Sequence, residues 1–412
     1  MLFGIIADLR SKFGNIVDAD DVLEHFIPVT VEKIVNDLRH SKQWQNGQAE
    51  QFEQICEILI ALYHAKFHKD LLDIKHHYRP FSPDRDTLLL ENYSSREIDQ
   101  RLKSFLHVTR QLLARANFVE LPLRELNAVL KRKSPQGVEV KIDLDAFDIV
   151  ALFYRGVASR KVSLRSWRTG FRKIKQVCPI YRRLFVIIKP KLEHQPNDEN
   201  SGGQNVYLKI FKDIPQDDLE MLFPNVKIRM TLFDKVKFSI TGGGGTVGGI
   251  MGLATKIGTT LNPYTLAVAL VGFAGVIWRQ IANVLSQRNR YMAQLARHLY
   301  FYNLNNNMGS ISQLLDMAEM EECKEAILAY YFLTVSDQPL SQAALDKRVE
   351  THIHNRYGIK VDYDVSDGIG KLRASALLIE NDALLQVRPL PSALRKLHGE
   401  WNDIYQLPNE LN

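Results

Sequence analysis

Arg160, Lys161, Arg165, Trp167, Arg168, Arg172 and Lys173 crowd cations and an aromatic ring into one short stretch, with Phe171 among them. That mixture suits a surface of anionic headgroups or phosphates. Guanidinium and ammonium groups can meet the phosphates while the aromatic rings sit at headgroup level. The stretch lies in a longer block: from Arg155 to Lys191 there are twelve Lys/Arg and no Asp or Glu. The chain carries a net +6, so the remainder is about −6.

Other residue types offer less. His64 and His68 are one helical turn apart, and Glu57 lies two turns before His64, which could set two imidazoles and a carboxylate on one helix face. Position 65 is Ala, so HExxH is absent, and a polar helix edge that happens to hold histidines is the plainer reading; no metal is expected. Asp143 and Asp145 have the spacing of a DxD at the end of a phosphotransferase strand. The preceding VEVKIDLD alternates apolar with polar residues, however, as a solvated strand face does. Cys178 lies near Lys173, Lys175 and Arg182, cations that favour a thiolate, but an incidental cysteine explains it as well. His352 and His354, two apart on a helix, face different ways. There is no GxSxG elbow. These residues assign no catalytic group and imply no cofactor.

The elements that must carry the block are those of an ordinary globular chain. Of 412 residues, 45% are apolar and 24% charged, and at roughly 100–200 residues per domain two to four folded units are expected. A mean hydropathy of −0.18 excludes a polytopic membrane protein but leaves room for one or two spans. Cys56, Cys178 and Cys323 are far apart with no CxxC, which fits a reducing compartment. MLFGIIADLR lacks a basic n-region and does not read as a cleaved signal peptide.

Residues 1 to about 135 read as helical. Asp20 and Asp21 precede VLEHFI, and Thr30 can cap VEKIVNDLRH. From Gln51 to His77, apolar residues at helical spacing (Phe52, Ile55, Leu59, Leu62, Phe67, Leu71, Ile74) make one broad face. A further helix starts at Ser95. Strands are expected over 138–145, 181–189, 206–211 and 226–232, with EHQPNDENSGGQN as a loop and IPQDDLEMLF as a short helix that has Pro215 near its start.

No charge occurs over residues 238–255 or 257–278, two segments of 18 and 22 residues separated by Lys256. A spanning helix needs about 20 mainly apolar residues. The second segment has Asn262 and Pro263 at its start, with Tyr264 and Trp278 as interfacial aromatics. The first holds Gly244, Gly248 and Gly252 at four-residue spacing, with Gly245 and Gly249 alongside, and Thr265, Ala269 and Gly272 make a matching small stripe on the second. Small residues let two backbones approach closely, so a tight membrane hairpin is the expectation. A buried hairpin or a glycine-rich loop of a soluble protein is the alternative. Lys227, Arg229, Lys235 and Lys237 before the hairpin, and Arg279, Arg288, Arg290 and Arg297 after it, place both flanks on the cytoplasmic side, or the equivalent matrix or stromal side.

After the hairpin, residues 279–304 read as a stalk helix and NLNNNMGS as a turn-rich break. Ser310 and Gln313 read as a capping box opening a helix through ECKEAILAYYFLTV. Ser341 caps a second helix ending near Gly358, a third runs near 366–375, and ALLI and ALLQV form a β-hairpin. Three helices and a hairpin are the order of a winged helix. Residues 306–412 hold 16 acidic and 10 basic residues, which argues against nucleic acid and for a protein partner.

YRG at 154–156, YLKIFKDIPQDDLEMLFPNVKIRM at 207–230, the glycine-rich hairpin, LYFYNLNNNMG at 299–309 and ECKEAILAYYFL at 322–333 together resemble the transmembrane protein 143 family, a membrane family of unknown function with bacterial, plastid and mitochondrial members. The resemblance spans roughly residues 20–400 and is most specific at KDIPQDDLEMLFP. It implies a paired hydrophobic segment and no known catalytic residues. The short N-terminus points to a bacterial inner membrane.

The expected architecture is α+β and mainly helical: a helical region over 1–136, a basic α+β domain over 137–235, the glycine-rich hairpin and stalk over 236–305, and a winged-helix-like domain over 306–412. The expected function is that of a membrane-anchored, non-enzymatic scaffold facing anionic lipid, with an unidentified protein partner and a homo-oligomer compatible with the hairpin. The alternative is a membrane-associated enzyme that clamps a phosphate-bearing or lipid substrate on the basic block.

Overall fold

A computed structural model of the chain describes residues 16–17, 24–85 except 46, 93–130, 139–141, 143–165, 173–194, 204–216, 219, 222–223, 227–229, 275, 278 and 300–405 except 382–383. The fold is α+β and mainly helical. In chain order the main elements are β1 (Ile16–Val17), α1 (Val31–Arg39), α2 (Gln48–Tyr78), α3 (Ser95–Arg115), β2 (Val119–Glu120), α4 (Leu123–Leu130), β3 (Glu139–Lys141), β4 (Phe147–Arg165), β5 (Lys173–Pro190), β6 (Tyr207–Pro215), β7 (Lys227–Arg229), β8 (Asn303–Asn306), α5 (Asn307–Thr334), α6 (Gln342–Tyr357), α7 (Val365–Ala374), β9 (Leu378–Asn381), β10 (Leu384–Val387) and α8 (Leu390–Tyr405).

Contacts divide the chain into two compact units. One comprises residues 1–123, 145–216 and 304–412; the other comprises 124–144 and 217–303. The sequence segments 1–136, 137–235 and 306–412 thus all contribute to the first unit. Its core is one cluster running from Ile27 to Leu397. In the second unit, β3 and β7 form a two-stranded antiparallel sheet, with Glu139 opposite Arg229.

The helices begin where polar side chains can satisfy their first amides. Thr30 Oγ1 accepts from the Lys33 amide at 3.3 Å. Ser94 and Glu97 form a reciprocal capping box on α3, and Ser341 caps α6. Along α2, Phe52, Ile55, Leu59, Leu62, Phe67 and Ile74 are all buried, and Leu71 packs against the core as a partly buried side chain. Each such buried side chain contributes about 1.5–3 kcal/mol.

VLEHFI is not a helix at its described end. Glu24 makes a parallel bridge with Val361, its amide donates to the Lys360 carbonyl at 3.2 Å, and its carbonyl accepts from the Asp362 amide at 2.9 Å. Residues 24–30 run as an extended strap into α1, because partners far along the chain satisfy their backbone.

The main sheet runs β1-β4-β5-β6-β8, with β2 also paired to β4. Its longest strand, β4, has no counterpart in the sequence reading. Ala151, Leu152 and Phe153 are buried in succession, as are Leu184 to Ile188 on β5. Both faces are covered there, so the strands read as continuous apolar runs without alternation. Pro215 ends β6, and Gln216, Leu219 and Leu222 beyond it have 3₁₀-helical backbone.

NLNNNMGS is also not a simple break. Asn303–Asn306 form β8, and α5 starts at Asn307, whose φ of +44° turns the corner. Its side chain is wholly engaged: Oδ1 accepts from the Leu208 amide at 3.0 Å, and Nδ2 donates to Asp84 at 2.6 Å. Ser310 is therefore inside the helix and cannot cap it. Gln313 accepts instead from Asn305 Nδ2 at 2.7 Å.

Beyond α5 the order is helix, helix, antiparallel β9–β10 hairpin, with Leu340 bridging Leu385 as a third short strand. This is the order expected of a winged helix. Asp364 caps α7. The C-terminal α8 packs on α2.

Candidate functional site

The basic block divides in two. Its ends are used inside the fold: Arg155 pairs with Glu321 at 2.8 Å, Arg182 with Glu24 at 3.3 Å and Lys189 with Asp148 at 3.4 Å. Its middle lies on a ribbon. β6 pairs with β5 over Ile180–Ile188, and β1 pairs with β4 at Ser159 and Arg160. Among the described residues, Lys161–Arg165 and Lys173–Val177 pair only with each other.

The register of that ribbon sorts its cations. Lys161 is opposite Val177, Ser163 opposite Lys175 and Arg165 opposite Lys173. Directly opposed residues share a face, and every second residue along a strand returns to it. Lys161, Arg165, Lys173 and Lys175 therefore fall on one face. Arg160, Val162, Leu164, Ile174, Gln176 and Cys178 fall on the other. Of the residues singled out by sequence, Lys161, Arg165 and Lys173 come together, and Arg160 is separated from them. Trp167, Arg168 and Arg172 lie outside the described residues. Lys175 completes the cationic face; its two-residue spacing from Lys173 is the signal that could have found it.

A second charge cluster is buried at the centre of the first unit, on the Glu319–Glu325 turn of α5. Glu321 is 0% exposed and takes three donors: the Ile27 amide at 2.6 Å, Arg155 Nη2 at 2.8 Å and Lys324 Nζ at 2.6 Å. Lys324 Nζ also donates to the Ile27 carbonyl at 2.5 Å. Both polar groups of that buried backbone unit are thus held by α5, which fastens the 24–30 strap. Arg155 stacks over Phe26 at 4.3 Å. Just after it, Gly156 has φ +74°, and a Cβ there would meet Arg182 Cδ and Phe26 Cε1 at 2.9 Å, so no larger residue fits without strain.

The cluster extends on both sides. Glu325 pairs with Lys371, which also reaches Asp367 at 2.7 Å; Asn117 donates to Glu325 at 3.3 Å. Arg115 bridges Glu322 at 2.5 Å and Asp70 at 2.8 Å. Burial raises the Glu325 pKa to about 7 despite Lys371. Burial lowers Arg155 and Lys324 from their ordinary values, against the pull of Glu321. The charges of this network are paired within the chain, although Arg155 Nε is buried without a hydrogen-bond partner among the described residues.

The remaining candidates do not assemble. His64 and His68 are exposed, as is Glu57; His64 Nδ1 lies 3.2 Å from Glu319 on α5. Among the described residues, no group of three His, Cys, Asp or Glu could hold a metal ion. Asp143 and Asp145 are both exposed. Cys56 and Cys323 are buried free thiols, and burial raises both pKa values.

The hairpin glycines Gly244, Gly245, Gly248, Gly249 and Gly252, together with Tyr264, Ala269 and Gly272, lie outside the described residues. Trp278 is helical and 73% exposed. Among the described residues, no helix is long and apolar enough to cross a membrane.

Residues 147–309 match a family model, DUF3754, described as "Protein of unknown function". The match begins at the first residue of β4 and ends in the first turn of α5. It contains the whole cationic ribbon and both uncharged segments. The acidic turn that neutralises Arg155 lies beyond it. No solved structure matches the chain.

Proposed function

We propose that this protein is a membrane-associated, non-enzymatic interaction protein, whose DUF3754 domain lays a cationic ribbon on anionic lipid. The observation that carries this reading is the β4–β5 register, which gathers Lys161, Arg165, Lys173 and Lys175 on one ribbon face. Four ammonium or guanidinium groups on one face attract a negatively charged leaflet at about 1 kcal/mol per cation near the surface. The uncharged segments 238–255 and 257–278 support an anchor that would hold the ribbon within reach of headgroups. Cations on both flanks of those segments support a bacterial inner membrane with both flanks cytoplasmic. The resemblance to the transmembrane protein 143 family belongs to this reading. So does the acidic, winged-helix-like 306–412 region as the part that meets a protein.

Binding of the full-length protein to phosphatidylcholine vesicles with and without phosphatidylglycerol tests the lipid half. Binding is expected only with phosphatidylglycerol, and K161E/R165E/K173E is expected to abolish it. Equal binding of variant and wild type would remove the ribbon from the explanation. Washing cell membranes with high salt and with alkaline carbonate tests the anchor: retention through both supports insertion of the hairpin, and release by salt assigns the attachment to the ribbon alone.

A further inference from the structure

We propose that the groove between α6, the end of α5 and the turn after α1 is a docking site for a short acidic segment of a partner protein, seated by an apolar residue against Phe332. The inference rests on the interaction half of the proposed function, and not on the membrane half.

The groove has a volume of about 670 Å³, and its lining includes Phe332, Lys347, Arg348, Thr351, His352 and Arg356. A second concavity of about 470 Å³ shares Phe332, His352 and Arg356 and adds Lys42. Lys347, Arg348 and Thr351 are exposed, so the site is an open channel that fits a chain segment better than an enclosed small molecule. Its length follows from α6: the lining runs from Ala344 to Arg356, roughly 18 Å at 1.5 Å per residue. That accommodates about three helical turns of a partner, in the manner of a helix laid in a groove.

Charge selects the occupant. Residues 306–412 hold 16 acidic and 10 basic residues, yet no Asp or Glu lines the larger concavity. Asp37, in the smaller one, is already committed. It accepts from Arg356 at 3.1 and 2.9 Å, from Lys33 at 2.7 Å and from Tyr357 at 3.0 Å. The Arg356 bonds hold its carboxyl well below the usual carboxylate range. Lys347, Arg348 and Lys42 are left to present positive charge from the rim. The floor is apolar and uncharged: Phe332 meets His352 edge to face at 5.3 Å, and burial, then Arg356, lower the His352 pKa. Cationic rims around an apolar anchor point steer and fix acidic amphipathic segments.

The test uses the full-length protein and a fluorescein-labelled peptide, three helical turns long, of glutamates flanking one central phenylalanine. Fluorescence anisotropy is expected to show saturable binding that a lysine-for-glutamate peptide does not reproduce. K347E/R348E is expected to weaken it about tenfold or more, the scale of several exposed charge contacts. Lys347→Glu alone, at an exposed position, is expected to weaken binding with an unchanged melting curve, which separates docking from folding. Absence of saturable binding, or binding indifferent to K347E/R348E, overturns the inference. So does loss of binding in K161E/R165E/K173E, which would put the peptide on the ribbon. Tighter binding of single-stranded RNA assigns the groove to nucleic acid, and self-association lost in K347E/R348E assigns it to a second copy; either result overturns the inference as well. Vesicle binding is read on the same samples. If vesicles fail to bind while the peptide binds, the membrane half falls and the groove stands.

Discussion

Arg155 and Arg165 stand on the same strand, and the fold treats them in opposite ways. Arg155 points into a core where its Nη2 donates to Glu321, which also accepts from Lys324 and the Ile27 amide. Arg165 is opposite Lys173 at the far end of a ribbon whose cations have no acid anywhere between Arg155 and Lys191 to neutralise them locally. Identical chemistry therefore does two jobs. Where a carboxylate from α5 reaches the strand, the guanidinium fastens the fold. Toward the far end of the ribbon the register sets residues of like charge opposite one another, an arrangement that suits a partner outside the chain.

If that contrast is right, the largest effect belongs to the core. Glu321→Ala leaves Arg155, Lys324 and the Ile27 amide without their shared acceptor, and breaking a buried pair by removing one partner costs about 3–5 kcal/mol. A urea denaturation midpoint measures this directly. A midpoint within error of wild type would mean that the network is spectator chemistry and would erase the contrast. Apolar replacement of the whole set (E321L/R155M/K324M) should recover part of the loss but not all. The Ile27 amide and carbonyl would still be buried without partners, which costs about 1–3 kcal/mol per group.

Gly156→Ala comes next. It forces a left-handed residue to carry a Cβ against Phe26 and Arg182, at the point where β4 passes from the core toward the ribbon. Strain of this kind costs about 1–3 kcal/mol. The same denaturation experiment reads it, and full vesicle binding by the folded fraction would show that the core and the ribbon fail independently.

Glu325 adds a pH dependence that the ribbon cannot supply. Its folded pKa is raised to about 7 from an ordinary 4.5, so the folded state holds its proton more tightly than the unfolded chain. Its stabilising contribution is complete below pH 4.5 and is lost as pH rises through 7, with a slope of at most about 1.4 kcal/mol per pH unit. Lys371, raised from an already high value by Glu325 and Asp367 against burial, keeps its charge throughout this window. His352, lowered by burial, works in the opposite sense as pH falls. The clean measurement is therefore the difference between wild type and Glu325→Gln at pH 5 and pH 8. The variant should gain on wild type at the higher pH. A difference independent of pH would place the titration elsewhere.

Much of this architecture is legible in the sequence where a local rule decides. Thr30 and Ser341 announce their helices because a cap acts over three residues, and the α2 face follows from spacing alone. The failures share one cause, which is a partner far along the chain. The helix through ECKEAILAYYFLTV is legible, but no local rule shows that its Glu321, Glu322, Lys324 and Glu325 are buried, with partners at Ile27, Arg115, Asn117, Arg155 and Lys371. The asparagine run reads as a break because nothing local shows that Asn307 will serve Leu208 and Asp84. The cationic ribbon lies between these cases: its composition is plain in the sequence, but only the register separates Arg160 from Lys161.

The smallest effect on stability is expected where the effect on binding is largest. K161E/R165E/K173E reverses three charges on a ribbon segment whose described strands pair only with each other, so its backbone hydrogen bonds survive. Exposed charges contribute about 0–1 kcal/mol each to folding. The triple variant keeps a like-charged pair across positions 165 and 173 and sets opposite charges diagonal to Lys175, so the denaturation midpoint should stay level with wild type while vesicle binding disappears. A fall in midpoint comparable to that of Glu321→Ala would mean that the ribbon cations are as internally matched as Arg155. The two regions would then differ in place only and not in purpose.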